Sequence, residues 1–515
     1  MRRAVAPGSR VLLVTAMCLG SMLTMFTSTL SNLLVPAIAE EFGASAVGLA
    51  WVATSYTLAY GALLLLGGAL GSAYGRRRLL LIGTAVFAVA SLGCAVAPSL
   101  ELLLAGRVVQ GAAVALYLPQ TLAILSTEFT APAARAKAVG LWAGVSSLGL
   151  SAGPVLGGVL VDLASWRVGF LLSTVLALAA FGMGARGVSP QTHGRTGPGG
   201  GIDVVGAIVG TAGLVGFVEL LMRLPSAGLA DPTTLACAVA AVVCLPAFIL
   251  WQLRQGRAGR PVLMPLGLWR TPAFLAANLS GFAYFFMFFA VLYFYAVDLQ
   301  DVQGRGPFTA GLLFLPMMLL TAVFGPIAGR LAARLGTVPV LSAGLLVGVC
   351  GSVLLALRDP AAGVVDLAVR LGLLGVSSGL MSSSMSNLAV SRVAADLSST
   401  AAAVHNTLRQ IGSTLGVAVF GMIIAAASRD SSIPSAESPQ LPGLDLSMVL
   451  TAGLLGLILV AVVGLTARRP TRDRVSEDAR SEDSRREDGL DEAASTSTTQ
   501  APGRNDAGND DRSTT

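Results

Sequence analysis

The chain has 515 residues, 54% of them hydrophobic and 12% charged, with a mean hydropathy of +0.75; a soluble domain carries about 25% charged residues, so the composition excludes a soluble protein and specifies an integral membrane one. Of the formal charge of +6, residues 467–515 hold 9 arginines and 12 acidic residues, which leaves 25 basic against 16 acidic positions elsewhere. That excess bears on membrane orientation and not on nucleic-acid binding. The only lysine is Lys137, inside Ala-Lys-Ala, so the phosphate-binding G-x-x-x-x-G-K-[ST] loop cannot occur and direct nucleotide-driven pumping is excluded.

In chain order, Met1-Arg2-Arg3 precedes an apolar stretch from Val11 to Val35. That stretch is longer than the 7 to 15 residues of a signal core and reads as an uncleaved first span. At roughly 20 apolar residues per crossing, the sequence predicts fourteen spans: 11–36, 48–73, 79–98, 102–126, 136–161, 168–186, 203–222, 233–253, 273–297, 307–329, 338–357, 364–388, 400–427 and 446–466. With the N-terminus cytoplasmic, inward segments collect 21 basic residues and outward segments six (Arg167, Arg223, Arg305, Arg358, Arg370 and Arg429). The positive-inside rule therefore puts both termini in the cytoplasm of a multi-pass cell-membrane protein.

Composition shifts divide the chain into an N-terminal six-helix bundle (1–188), a flexible Pro/Gly linker (189–202), an inserted helix pair with its basic loop (203–271), a C-terminal six-helix bundle (272–466) and a charged tail expected to be disordered (467–515). The two bundles repeat one another. Gly68-Ala69-Leu70-Gly71-Ser72-Ala73-Tyr74-Gly75-Arg76-Arg77-Arg78 after span two is echoed by Gly325-Pro326-Ile327-Ala328-Gly329-Arg330 after span ten. Gly149-x-x-x-Gly153-Pro154 in span five is echoed by Gly412-x-x-x-Gly416 in span thirteen. Two related halves around a central cavity is the build of a secondary transporter.

No metal or cofactor is indicated. The two histidines, His193 and His405, have no Cys or carboxylate cluster at ligand spacing, and the five cysteines all lie in apolar runs. Glu219 and Arg223, like Asp366 and Arg370, are four residues apart and read as same-face ion pairs, on a span seven expected to lie beside the cavity and not in it. Arg107 stands inside span four, where a charge must face protein or water. His405 stands one turn before Arg409 in span thirteen, and a histidine is the side chain readiest to exchange a proton near neutrality. Span nine carries nine of the chain's 31 aromatics between Phe282 and Tyr295. They cover every side of the helix, so some, with Asn32 of span one, are candidates to line a substrate cavity: Tyr284, Phe285, Phe288 and Phe289. Tyr293, Phe294 and Tyr295 are expected in an outer aromatic belt.

These segments resemble the fourteen-span drug:proton antiporters of the major facilitator superfamily, of the antibiotic and multidrug efflux type found in actinomycetes. Gly68, Leu70, Gly75, Arg76 and Arg77 match its G-x-L-x-D-R-x-G-R-[RK] signature, Arg107-Val108-Val109-Gln110-Gly111 its R-x-x-Q-G motif, and Gly149 to Gly158 its G-x-x-x-G-P-x-x-G-G motif; Trp51 to Tyr56, Trp166-Arg167 and Asn406 to Gly412 also match the branch. The resemblance implies a cytoplasmic gating loop at Gly68, Gly75, Arg76 and Arg77, a hinge at Gly149, Gly153, Pro154, Gly157 and Gly158, and a proton relay through Arg107 and Gln110, to which His405 and Arg409 are added. Two aspartates of the pattern are replaced, by Ser72 in the loop and Thr27 in span one. The expectation is a non-enzymatic exporter of a hydrophobic drug in exchange for protons, with lipid as its surroundings and neither nucleotide nor nucleic acid as partner. The alternatives are a proton-independent facilitator or importer, suggested by the missing span-one carboxylate, and a non-transporting membrane sensor or scaffold.

Overall fold

The computed structural model describes residues 7–129, 132–189, 203–260, 262–359, 363–391, 393, 398–430 and 441–467. The linker from 190 to 202, with His193, and the tail from 468 onward lie outside the described residues, as do the side chains of Ser72 and Lys137. Fourteen α-helices occur among the described residues, and no strand. In order they are α1 (Pro7–Phe42), α2 (Ala46–Tyr74), α3 (Arg76–Ala95), α4 (Leu100–Glu128), α5 (Pro132–Leu163), α6 (Trp166–Gly187), α7 (Val204–Ala227), α8 (Pro232–Arg257), α9 (Pro272–Val297), α10 (Pro307–Leu335), α11 (Thr337–Ala356), α12 (Val364–Ser391), α13 (Ser398–Asp430) and α14 (Leu444–Ala467). Each expected span falls on its own helix, most of them extended by a few residues, while 79–98, 203–222 and 338–357 overrun α3, α7 and α11 by one to three residues. Thirteen helices are long and apolar enough to cross a membrane over their described residues.

Local chemistry sets the helix starts. Ser45, Ser99, Ser165, Asp203 and Asp231 each accept a hydrogen bond from a backbone amide of the first turn that follows, which satisfies one of the donors a helix leaves free. Pro36, Pro119, Pro154, Pro246, Pro316 and Pro326 sit inside helices, each removing a backbone donor.

The repeat seen in the sequence is a repeat in space. α2 and α10 both have 29 residues, α3 and α11 both 20, and each pair is joined by a single glycine, Gly75 at φ +98° and Gly336 at φ +91°. That conformation strains a side-chain-bearing residue and lets the next helix turn back at once. α1 packs on α5 as α9 packs on α13, α2 on α4 as α10 on α12, and α3 on α4 as α11 on α12. The halves meet through α2 with α13 and α5 with α10. α7 pairs with α8 but also lies along α2 and α13, so it borders the seam between the halves, while α8 is largely uncovered.

Among the described titratable pairs, Glu219 bonds Arg223, and Asp366 bonds Arg370 through both carboxylate oxygens, at 2.8 and 2.7 Å, with Arg358 3.8 Å away. The expected i,i+4 pairs are formed. The aromatic belt is corrected: Tyr293, Phe294 and Tyr295 are 4%, 6% and 2% exposed. α9 is enclosed by α1, α10, α12 and α13, so its aromatic end meets protein where the sequence suggested lipid.

Candidate functional site

The N-terminal half buries one arginine completely. Arg107, on the second turn of α4, is 0% exposed and therefore does not reach out to an interface. Its Nε donates to the Val52 carbonyl of α2 (3.2 Å) and its Nη1 to Gln110 Oε1 (3.1 Å), while Gln110 Nε2 donates to Ser91 Oγ of α3 (2.7 Å). The guanidinium also lies 4.7 Å from the Tyr56 ring and 6.0 Å from the Phe170 ring, an attractive placement for a cation. Gly111 completes the motif, because a Cβ there would come within 2.3 Å of the Tyr56 carbonyl oxygen. The letters of R-x-x-Q-G thus divide the work between them, the glycine bringing α4 onto α2 while the glutamine and a bare carbonyl hold the charge. No carboxylate pairs with Arg107 among the described residues.

A second centre lies on α13 where it faces α2 and α9. Arg409 Nη1 donates to Asn406 Oδ1 (3.0 Å), and its guanidinium sits 4.1 Å from the centre of the Phe285 ring. His405 is 3% exposed. Gly281 of α9 makes room for both, since a Cβ there would lie 2.6 Å from His405 Cε1 and 3.1 Å from Arg409 Cγ. Gly61 of α2 does the same for Gln410, at 2.6 Å from its Cβ, and one turn on Thr57 and Thr414 share a hydroxyl hydrogen bond of 3.2 Å. Tyr56 and Tyr60, 6.3 Å apart by ring centroids, lie along α2 between the two centres, with Tyr60 and Tyr284 the ionisable neighbours of Arg409.

Tyr284, Phe285, Phe288 and Phe289 are each 3% exposed or less and pack on one another, with centroids 5.1 to 5.6 Å apart. Asn32 is buried too, but its Nδ2 donates to the Ser28 carbonyl of its own helix (3.3 Å). Thr27, in the place of the family aspartate, is 3.5 Å from Ser173 Oγ.

The five residues expected to form a hinge divide between two neighbours. A Cβ on Gly149 would meet the Met22 carbonyl oxygen at 2.3 Å, on Gly153 the Thr29 Oγ1 at 1.9 Å, and on Gly157 the Leu30 side chain at 3.1 Å, all in α1. Gly158 instead meets the Pro307 carbonyl oxygen at 2.4 Å, and the Pro154 carbonyl oxygen is 2.8 Å from a Cβ on Gly311, both contacts with α10 of the other half. The repeat partners Gly412 and Gly416 press on the Phe282 and Phe286 carbonyls of α9, each at 2.3 Å. At the end of α5, Asp162 Oδ2 accepts from the Phe308 amide (3.0 Å), so an acid of one half caps a helix of the other.

At the start of α3, where a gating loop is expected, Arg77 donates to the Val188 and Ala185 carbonyls at the end of α6 (2.8 and 2.9 Å) and Arg76 to the Ala123 carbonyl of α4 (3.2 Å). Guanidinium groups at helix C-termini complement the carbonyls there. Gly68 is not one of the close contacts; Gly67 and Gly71 are, against the Ala115 carbonyl oxygen at 1.8 Å and the Gln120 side chain at 2.0 Å. A knot that the sequence does not announce is Asp203, which accepts from the Gly206 amide, Trp251 Nε1 and Gln252 Nε2 (2.8, 2.8 and 2.6 Å) and ties α7 to α8. Its only signal is its place as the first residue of the expected span seven, where an aspartate can cap a helix.

The family model described as Major Facilitator Superfamily matches residues 17–417. A methylenomycin A resistance protein of Bacillus subtilis is 32% identical over 418 residues, covering 81% of this chain and 88% of that one. The multidrug efflux pump LfrA of Mycolicibacterium smegmatis is 30% identical over 431 residues, 84% of each. Among solved structures, a bacterial homologue of the human lysosomal transporter Spinster, inward-facing and occupied, aligns over 90% of this chain and 98% of its own with a TM-score of 0.59 and 17% identity, a likeness of fold.

Proposed function

The chain belongs to the Major Facilitator Superfamily, and from that premise we propose that it carries a hydrophobic drug or antibiotic out of the cytoplasm in exchange for protons, by alternating access. Its relatives are named for antibiotic resistance and multidrug efflux, which supports a drug transporter and not an enzyme.

One observation carries the mechanism: the halves are closed against each other at the ends of α5 and α10, through Gly158, Gly311 and the Asp162 cap on Phe308. That is the face where odd-numbered helices finish, opposite to the one where α1 starts. With both chain ends cytoplasmic, as the arginine distribution implies, the closed face is external and the molecule accepts solute from inside. α5 rests on α1 through bare glycine backbone while its Gly158 edge and the Pro154 carbonyl meet the other half, so tilting the half that carries α5 opens one face as it shuts the other. The aromatic cluster of α9, Tyr284, Phe285, Phe288 and Phe289, offers apolar ring contact to the solute. Proton coupling is assigned to Arg107, Gln110, His405 and Arg409, of which His405 alone can take up and release a proton, the others supplying fixed charge and hydrogen bonds.

The test is drug uptake into inside-out vesicles under an imposed pH gradient, interior acid. Uptake should rise several-fold with the gradient, and His405→Ala should flatten that dependence. Uptake indifferent to the gradient would replace antiport by facilitation, and an unchanged profile in His405→Ala would remove the histidine from coupling.

A further inference from the structure

Arg409 lies about 14 Å along α13 from Thr400 at 1.5 Å per residue, too deep for a cation without compensation to be cheap. Yet among the described residues no carboxylate pairs with it. Every ion-paired acid lies elsewhere, Glu41 with Arg167, Glu219 with Arg223, and Asp366 with Arg358 and Arg370. Arg409 is also not sealed as Arg107 is, since it remains partly accessible. Along the same stretch of α13, Arg409 Nε, both His405 ring nitrogens, Thr407 Oγ1 and Gln410 Nε2 are buried atoms with no hydrogen-bond partner, His405 and Arg409 on one face of the helix and Thr407 on the other. Five such atoms within six residues is a concentration that folded proteins rarely leave unanswered. Four of the five can donate at once, since a neutral imidazole carries a single N–H, and the neighbouring Asn406 Oδ1 acceptor is already taken by Arg409. Beside it is the face of Phe285, which meets Tyr284 edge-on and Phe289 at a tilt.

A positive, donor-rich nest beside an aromatic wall suits a negative group on a flat apolar body and repels a lipophilic cation. Resting on the transport reading above, we propose that the His405–Gln410 segment of α13 is the docking subsite for an acidic group, so that the exported solutes are amphipathic organic anions bearing a carboxylate or phenolate. Arg409 supplies the charge, His405 and Gln410 add donors, and the Phe285 face holds the attached ring.

The full chain in zwitterionic phosphatidylcholine nanodiscs, which contribute no anionic headgroup, is dialysed to equilibrium against radiolabelled 1-naphthoate and, separately, 1-naphthylmethylammonium, two probes of like size and opposite charge. The wild type should bind naphthoate at least about tenfold more tightly than the ammonium probe, Arg409→Gln should erase that preference, and Arg409→Lys should keep part of it, because a point charge replaces the forked donor. Equal or tighter binding of the cation, no measurable naphthoate binding, or naphthoate affinity unchanged in Arg409→Gln overturns the proposal. The wild-type preference stands as a test even where Arg409→Gln folds poorly. Vesicles that take up drug without any such preference sink this inference alone, whereas vesicles that move no solute sink the transport reading itself.

Discussion

Arg107 and Arg409 are the same problem met in two ways. Each puts a guanidinium inside a membrane bundle, where an unpaired charge is costly. Arg107 is answered by a backbone carbonyl at Nε, Gln110 at Nη1 and two rings, all neutral groups, and only its Nη2 is left without a partner. Gln110→Leu removes the Nη1 acceptor and the Ser91 contact together, and the loss of a hydrogen bond to a buried charge should cost about 2 kcal/mol. A lowered unfolding midpoint of the purified variant, with Gln110→Glu restoring it, checks this. A wild-type midpoint for Gln110→Leu would mean that the carbonyl and rings suffice. For single residues the sequence is informative about identity and poor about partners. R-x-x-Q-G announces its arginine and glutamine, but nothing in it names Val52, 55 positions earlier. Asp203 is hidden for the same reason, because Trp251 and Gln252 lie nearly 50 residues on.

Helix pairs show where periodicity is enough and where it is not. Small residues four apart allow backbones to touch, and both repeats, Gly149 with Gly153 and Gly412 with Gly416, do touch the first helix of their own half. That much is legible in the spacing alone. The spacing does not show that the last glycine of the motif, Gly158, changes neighbour and faces the other half, because only the positions of α1 and α10 around α5 decide it. The misplaced belt at Tyr293 to Tyr295 has the same origin: a tyrosine at a helix end looks alike from the sequence whether lipid or another helix lies beside it. The division of contacts separates two substitutions of one chemistry. Gly149→Ala forces a methyl against the Met22 carbonyl within a half and should destabilise the fold by about 1 to 3 kcal/mol, the usual cost of overpacking. Gly158→Ala meets its obstacle only when the halves close, so it should leave the unfolding midpoint near wild type while slowing drug transport several-fold. Equal effects of the two on the midpoint would mean that α5 and α10 do not separate.

For the molecule as a whole, the alternating access proposed above would be governed by few contacts on the face where α5 ends and α10 begins. The Asp162 cap joins halves that are otherwise apposed there through glycine and backbone, and apposed backbones part more cheaply than interlocked side chains. Asp162 is exposed, so its hydrogen bond to Phe308 is worth no more than a cap, about 1 kcal/mol, enough to shift the balance between two closed states about fivefold without locking either. A covalent link at the same place should lock it. Asp162→Cys with Phe308→Cys, in a background lacking Cys18, Cys94, Cys237, Cys244 and Cys350, places two thiols where the cap now forms. Oxidation should then abolish transport while leaving solute binding from the face of the chain ends intact, and reduction should restore transport. If the oxidised protein kept transporting, the α5–α10 contact would be a fixed seam, and the two halves would have to exchange faces by some motion that leaves it closed.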